Sequence, residues 1–322
     1  MEPFEFLVSP DEAGERIDRL IAHRHPDLSR AQTQRVIAEG GVTVNGVITT
    51  KSSTPAEPGA QIAVEVRYRT PQSGVVGEDI ALDVIYEDAD LAIIDKPAGM
   101  VMHPAPGHAT GTLVHALVHR FGDRLAAVAA AARPGIVHRL DRGTSGVVAV
   151  ALTDRAHRKL AGQFADRTVR KEYLALVYGC PEPDSGTVDE PLGRDPRDRK
   201  RISTRSRNAR EAITDWRRLE SFPSFTLLEA RPRTGRTHQI RVHLAHMHHA
   251  IVGDPDYAGK QWKGVPEGRI RSLVRAFERP ALHAHRLEFD HPTSGERMSF
   301  QAPLANDLVL LLQGLREWRD RG

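Results

Sequence analysis

A single carboxylate stands among cations in the segment "RPGIVHRLDRGTSGVVAVAL", residues 133–152. Asp141 lies between Arg139 and Arg142, and the apolar run that follows is typical of a strand buried on both faces. We therefore expect Asp141 in the loop that enters the core. Burial disfavours an ionised carboxylate and neighbouring guanidinium groups favour it, so the pattern predicts an anion kept available as a nucleophile or base. The alternative is an aspartate that caps its own turn through the following backbone amides.

A tyrosine is a second candidate for chemistry. In "EYLALVY" the residues alternate, so Tyr173, Ala175 and Val177 share one face of a predicted strand. A ring on that face can be open to a ligand. It can equally be a core tyrosine whose hydroxyl is satisfied within the protein.

An arginine is the third candidate. Ile240, Leu244 and Met247 have the spacing of the apolar stripe of a helix, and Arg241 lies beside that stripe. A partly buried arginine needs a carboxylate partner, for which Asp141 is our candidate. Pairing with another acidic residue, in a purely structural role, is the alternative.

The elements that must position these residues fall into two parts. A small module is predicted over residues 12–67. The pattern there indicates a helix, a second helix, a hairpin at Asn45-Gly46 and one more strand. Residues 68–80 are interrupted by Pro and Gly and are predicted to be a linker. From residue 81 to 322 strand-like segments dominate, with helical patterns around 112–120, 154–164, 237–247 and 304–315. This order favours an α+β domain with a large, mostly antiparallel sheet.

Composition limits the kind of protein. The chain has 322 residues, 40% hydrophobic and 27% charged, with a formal charge of +3 and one cysteine, Cys180. One cysteine excludes an internal disulfide, and with no secretory signal and no apolar run of about 18 residues we expect a cytoplasmic protein without a membrane anchor. The segment "RDPRDRKRISTRSRNAR", residues 194–210, holds eight basic and two acidic residues in seventeen. That density suits a nucleic-acid backbone, and a solvated loop is the alternative.

Several longer segments together resemble one enzyme family. "GIVHRLDRGTSG" resembles the H-R-L-D-x-x-T-S-G signature of the RluA-type pseudouridine synthases. Further segments in the family's order are "IYEDADLAIIDKPAGMVMHPAPG", "RKEYLALVYG", "RPRTGRTHQIRVHLAHMHHAIVGDPDY" and "ALHAHRLEFDHPTSGE". The N-terminal module resembles the S-four-type RNA-binding module. Within the family the chain is most similar to the RluD-like enzymes of the large-subunit rRNA branch.

The resemblance implies an isomerase with the pseudouridine synthase fold, which converts uridines of 23S rRNA to pseudouridine by base flipping, without cofactor or metal. It implies that Asp141 is catalytic, by attack on the base, by attack on C1′, or by removal of the C2′ proton. It also implies that Tyr173 is the active-site tyrosine and that Arg241 pairs with the aspartate. Five histidines in "HQIRVHLAHMHHA" lack the spacing of a metal site, so no metal is predicted.

Further residues are candidates for contacts with RNA. Arg139 is expected either to take the place of the flipped base or to neutralise the backbone. The other candidates are His138, Thr144, His238 and Arg236 in the large domain and Arg30 and Arg35 in the module. The expected partner is 23S rRNA or the assembling large subunit, bound by a monomer.

Other functions remain open at this point. A tRNA synthase of the same family and a non-catalytic protein of RNA binding or ribosome assembly are the alternatives. A glycoside hydrolase would need a second positioned carboxylate, and neither Asp95 nor Asp154 has the support of a motif.

Overall fold

The computed structural model describes residues 3–25, 28, 30–65, 75–105, 107–126, 133–198 and 201–321, without the side chains of 31, 32, 35, 123 and 126. The chain divides into two compact units, Met1–Pro71 and Gln72–Gly322. Residues 68–74 of the predicted linker lie outside the described part, and 75–80 are irregular.

The N-terminal unit has two helices beside a four-stranded sheet. Its elements are β1 Phe4–Leu7, α1 Ile17–Arg24, α2 Arg30–Ala38, β2 Val42–Val44, β3 Val47–Ile48 and β4 Gln61–Val64. The strands are antiparallel in the order β1-β4-β2-β3. Asn45 and Gly46 both have positive φ, 51° and 76°, as a two-residue hairpin turn between β2 and β3 requires.

The predicted start of the module, residue 12, is too late. β1 pairs with β4 from Phe4↔Val64 to Leu7↔Gln61, so it belongs to the module's sheet. A four-residue edge strand has too little periodicity to be recognised in the sequence.

The large unit is built on one nine-stranded mixed sheet. Its first strands are β5 Asp83–Glu87, β6 Leu91–Lys96, β7 Ser145–Ala151, β8 Arg170–Tyr178 and β9 Ser185–Asp189. After the small ribbon β10 Gly193–Arg194 and β11 Ile202–Ser203 come β12 Ile213–Phe222, β13 Phe225–Pro232, β14 Leu282–Asp290 and β15 Arg297–Gln301. The order is β5-β6-β7-β14-β8-β13-β12-β9, with β15 on β14, and only β14–β7 is parallel among these pairs. The predicted large, mostly antiparallel sheet is confirmed.

Helices cover the sheet. They are α3 Leu113–Phe121, α4 Asp123–Ala126, α5 Asp154–Ala165, α6 Gln239–His246, α7 Gly268–Ala276 and α8 Asn306–Arg319. Leu244 of α6 and Leu311 of α8 pack in one core with β8 and β13, and Leu160 of α5 packs in another with β7. Among the described helices, none has the length and apolar character needed to cross a membrane.

The centre of the sheet sets the position of the site. All seven residues of β7 are buried, as its apolar run predicts. Gly146 has φ 111°, and a Cβ there would collide with the backbone of Ala284 on the parallel neighbour β14. Glycine at 146 therefore allows β14 to come close to β7 just after the loop that carries Asp141.

Candidate active site

Asp141 lies in the tight loop before β7. The Thr144 N–H donates to the backbone oxygen of Asp141 at 3.0 Å, and Leu140 and Thr144 are buried beside it. The side chain of Asp141 is 18% exposed. Since the turn is closed by backbone groups and the carboxylate accepts no backbone N–H among the described residues, the turn-capping alternative has no support.

Arg241 supplies a fixed cation to this carboxylate. Its Nε and Nη2 donate to the two oxygens of Asp254 at 2.7 Å each, and Nη2 also donates to Asp256 at 2.6 Å. Nη1 remains for Oδ2 of Asp141, at 3.4 Å. Burial would lower the pKa of Arg241, but the surrounding carboxylates outweigh it and raise the pKa above its ordinary value. Both pairings that the sequence left open are therefore present.

The flanking arginines do not hold Asp141. Arg139 and Arg142 are exposed, and in the part of the chain that the structure describes neither forms an ion pair with Asp141. Arg142 instead donates from Nε to the backbone oxygen of Gly99 at 3.2 Å. Neither of these neighbours is therefore an ion-pair partner of the anion, although Arg139 lines the same cleft as Asp141.

His238 is the second group that faces Asp141. It is the N-cap residue of α6 and has φ 56°. Its Nε2 lies 3.8 Å from Oδ2 of Asp141, and its Nδ1 lies 2.9 Å from the hydroxyl of Tyr257. Burial lowers the pKa of His238, so the imidazole is neutral at pH 7.

Tyr173 lies on β8 between two alanines of the neighbouring strands, Ala230 on β13 and Ala284 on β14. Burial, and secondly the charge of Asp141, raise the pKa of Tyr173, so its hydroxyl stays protonated. That hydroxyl has no hydrogen-bond partner among the described residues, although the ring packs on the core. An unpartnered hydroxyl is available to a ligand.

These residues line one cleft of about 390 Å³. Its walls combine apolar side chains with a group of cations, namely Arg139, Arg167, Lys171, Arg233 and Arg236. A concave, partly apolar site with a few converging polar groups is typical of a small-ligand pocket, and here it has the charge to receive an anion.

The other predicted residues of the large unit also line this cleft. The Nε2 of His138 accepts the Ala149 N–H at 2.9 Å, its ring stacks on Phe164, and burial lowers its pKa to about 3. The Nε of Arg236 donates to the backbone oxygen of Glu211 at 3.0 Å. His138 thus fixes the loop to β7 as a neutral ring, and Arg236 keeps part of its guanidinium open.

The candidates of the N-terminal unit have a different setting. Arg30 donates from Nε to Oδ2 of the buried Asp18 at 3.0 Å, where Arg16 and Gln34 also donate. Arg30 therefore helps to join α1 to α2, with its side chain 47% exposed. The side chain of Arg35 lies outside the described residues.

Sequence reasoning missed Lys96. It is fully buried, and its Nζ donates to the backbone oxygens of Pro97 at 2.7 Å and Met100 at 3.0 Å. Burial lowers the pKa of Lys96 to about 7, while the charge of Asp141 acts in the opposite sense. A lysine inside an apolar strand, "LAIIDKP", was the available signal, since lysine is seldom buried without a function.

Sequence reasoning also missed Asp254, Asp256 and Tyr257, which hold Arg241 and His238. They lie in "GDPDY", at the end of one of the segments that resemble the synthase family. No group of three or more His, Cys, Asp or Glu side chains suited to a metal ion occurs among the described residues. Independence from metal and cofactor stays a prediction.

Comparison with known proteins shows the family of this chain. A family model described as RNA pseudouridylate synthase matches residues 90–246, and the S4 domain matches residues 15–62. Ribosomal large subunit pseudouridine synthase D of Xanthomonas campestris is 44% identical over 96% of this chain and 92% of its own length. The chain belongs to the RNA pseudouridine synthase family. The predicted family and isomerase activity are thereby confirmed.

Two further relatives of this synthase extend the comparison. An uncharacterized RNA pseudouridine synthase of Chloroflexus aurantiacus is 48% identical over 97% of this chain and 93% of its own length. The solved structure of human RNA pseudouridylate synthase domain containing 1 has a TM-score of 0.55 and 26% identity, covering 74% of this chain and 96% of that chain. The predicted synthase fold is confirmed.

Proposed function

We propose that this synthase isomerises specific uridines of 23S ribosomal RNA to pseudouridine and that Asp141 is its catalytic residue. The convergence of Asp141, Arg241 and Tyr173 on one cleft carries the proposal. A uridine inside folded RNA cannot reach a carboxylate at the bottom of a cleft, so the nucleotide must leave its stack to react. The ionised carboxylate then attacks the base or C1′, or takes the C2′ proton, and all three routes need the anion. In each route the N1–C1′ bond breaks, a C5–C1′ bond forms after the uracil has turned, the proton on C5 is released and N1 gains a proton.

The surrounding residues have separate roles in this proposal. Tyr173 stacks on the extruded uracil, and its unpartnered hydroxyl reaches the ribose or the proton on C5. Arg241 holds the carboxylate of Asp141 in place. Arg139, exposed at the cleft, either fills the space that the base leaves or neutralises an adjacent phosphate, and His138, Thr144, His238 and Arg236 form the wall against the nucleotide.

The choice of RNA rests on the module and on the relatives. An S4 domain occupies residues 15–62, and two further relatives, from Xylella fastidiosa and Pseudomonas aeruginosa, are also named ribosomal large subunit pseudouridine synthase D. We therefore expect free 23S rRNA or the assembling large subunit as the substrate, bound in the cytoplasm by a monomer. Arg30 and Arg35 are the proposed phosphate contacts of the module.

The deciding experiment compares Asp141→Asn with the unaltered enzyme on 23S rRNA transcripts. The variant is expected to bind RNA with unchanged affinity and to form no pseudouridine. Asp184→Asn, a change at a side chain that is 83% exposed on the surface, is the control and keeps full turnover. Full turnover of Asp141→Asn would refute the catalytic assignment.

The substrate is tested in cells. Pseudouridine positions in total RNA are mapped with and without the gene, and the lost positions are expected in 23S rRNA. Losses confined to tRNA would identify the alternative synthase. No loss, together with RNA binding in vitro, would identify a non-catalytic protein.

A further inference from the structure

Tyr257 lies between the cleft and the arginine-rich ribbon formed by β10 and β11. Its hydroxyl oxygen accepts the backbone N–H of Ile202, on β11, at 3.1 Å. The same hydroxyl lies 2.9 Å from Nδ1 of His238. Two guanidinium groups, those of Arg201 and Arg241, each lie 5.1 Å from the centre of its ring. One side chain thus contacts the ribbon and both groups that face Asp141.

These contacts decide which nitrogen of His238 carries the proton. A phenol has one proton to donate, and the oxygen of Tyr257 already accepts from Ile202. Among the described residues, Nδ1 of His238 is the only acceptor within hydrogen-bond distance of that proton, so the hydroxyl donates to Nδ1 and Nδ1 is the unprotonated nitrogen of a neutral imidazole. The proton of that imidazole then lies on Nε2, the nitrogen 3.8 Å from Oδ2 of Asp141.

The other tautomer would be unfavourable at this site. It would turn the lone pair of Nε2 toward a carboxylate, and it would leave the hydroxyl proton of Tyr257 without an acceptor among the described residues. Three carboxylates and one guanidinium surround His238, namely those of Asp141, Asp254, Asp256 and Arg241. An N–H directed at Asp141 is favourable beside these negative charges. The N–H of a neutral ring gives this favourable interaction without adding a charge to the site.

We propose that Tyr257 is a positioning residue, whose hydroxyl fixes the Nε2–H tautomer of His238 so that this N–H, with Arg241, orients Asp141. The proposal rests on the proposed role of Asp141. It also makes the ribbon part of the support of the active site, since Ile202 holds the hydroxyl that sets the tautomer. In this arrangement His238 acts on the carboxylate as a neutral donor.

The first test is a spectroscopic one. In ¹⁵N-histidine-labelled enzyme, the resonances of His238 are identified by their loss in His238→Gln. The unaltered protein is expected to show a protonated Nε2 and an unprotonated Nδ1, and Tyr257→Phe a mixture of both tautomers. A protonated Nδ1 in the unaltered enzyme, or an unchanged tautomer in Tyr257→Phe, overturns the proposal.

The second test is kinetic and uses the same variant. Tyr257→Phe keeps the ring between the two arginines and loses only the hydroxyl. Its kcat is expected to fall about tenfold, with KM for the transcript unchanged, because the hydrogen bond that fixes the tautomer of His238 beside Asp141 is lost. Tyr86→Phe is the matched control, since it also loses one hydroxyl hydrogen bond, to Asp88 at 2.8 Å, but does not line the cleft. An unchanged kcat in Tyr257→Phe overturns the positioning role.

A double variant separates positioning from simple packing. In His238→Gln the amide N–H can take the place of Nε2–H, and glutamine has no tautomers. Tyr257→Phe should then cost little in the His238→Gln background, whereas an equal cost in both backgrounds contradicts the proposal. The tautomer is read without turnover, so full activity of Asp141→Asn would refute the proposed function and leave the spectroscopic result standing.

Discussion

The carboxylate of Asp141 lies 3.4 Å from Nη1 of Arg241, although the two residues are 100 positions apart in the chain. The contacts of Arg241 with Asp254 and Asp256 are shorter, at 2.6 to 2.7 Å. Asp254 and Asp256 therefore fix the position of Arg241, which directs Nη1–H to Asp141. The longer contact leaves the carboxylate oriented and still open to a substrate, which a tight bidentate pair would not do.

Arg241→Lys tests this geometry. Lysine keeps the charge but lacks the planar fork that contacts Asp254, Asp256 and Asp141 together. We expect kcat to fall on the order of 10²-fold, because a displaced cation leaves Asp141 misoriented, while RNA affinity is retained. Single-turnover assays on a 23S fragment, beside a filter-binding titration, measure both quantities.

The control for this substitution is Arg217→Lys. Arg217 makes a similar two-pronged contact with Glu229, at 2.8 and 2.7 Å, but on an exposed part of β12 that does not line the cleft. It should keep its turnover. An equal loss of turnover in both variants would mean that Arg241 contributes to the stability of the protein and does not orient Asp141.

Tyr173 is predicted to contribute through both its ring and its hydroxyl. Tyr173→Leu should lower kcat/KM by about 10- to 100-fold, the usual worth of one base–aromatic stack. Tyr173→Phe should keep that stacking and the stability of the protein, because the hydroxyl has no partner to lose, yet lower kcat by about 10²-fold if the hydroxyl takes part in proton transfer.

Both variants are assayed with the same transcript and compared with Tyr178→Phe. Tyr178 lies on the same strand, but its ring is buried against Phe225 away from the cleft, so this control should retain full turnover. Full activity of Tyr173→Phe would limit the role of Tyr173 to stacking.

The sequence was informative where a strand or helix has a clear pattern. β7 was predicted from its apolar run and β8 from its alternation, and these strands adjoin Asp141 and carry Tyr173. β9 and β15 were not predicted, since each has a single buried residue among five and no apolar run to detect. α7 was missed as well, because only Ile270 and Val274 of its nine residues are buried.

The partners of Asp141 were harder to predict than its position. Arg241 was predicted as a partner of Asp141, but so were its neighbours in sequence, Arg139 and Arg142, and the contact with His238 was not predicted. Long-range pairing of this kind depends on the strand order of the sheet, in which β14 and β8 lie between β7, which follows Asp141, and β13, which precedes α6. No local pattern of charge or hydrophobicity contains that information.

Lys96 makes the stability of the large unit depend on pH. Burial lowers its pKa to about 7, from 10.5 in the unfolded chain. Between these values the unfolded chain binds a proton that the folded protein has released, so the free energy of unfolding rises with pH. From pH 7 to 9 the contribution of Lys96 is expected to grow by about 2 to 3 kcal/mol.

Urea unfolding of Lys96→Met and of the unaltered protein measures this. Tryptophan fluorescence is the probe, since Trp216, Trp262 and Trp318 all lie in the large unit. The rise of the free energy of unfolding with pH should be absent in Lys96→Met. It should be present in the control Lys159→Met, a change at an exposed lysine of α5. A parallel pH dependence in all three proteins would show that Lys96 keeps its proton on folding.

The arginine-rich segment 194–210 is predicted to bind the RNA backbone. Arg207 and Arg210 are exposed and have no carboxylate partner among the described residues. In Arg207→Gln/Arg210→Gln, RNA binding should weaken, and the slope of log Kd against log salt should fall by about 1.4, the value for two contacts to single-stranded phosphates. The single-turnover rate at saturating enzyme should stay unchanged, because neither residue lines the cleft.

The control is Lys260→Gln/Lys263→Gln, which removes as much charge at another exposed site and should leave the slope of log Kd against log salt as it is in the unaltered protein. Equal slopes in both double variants would mean that the segment is a solvated loop.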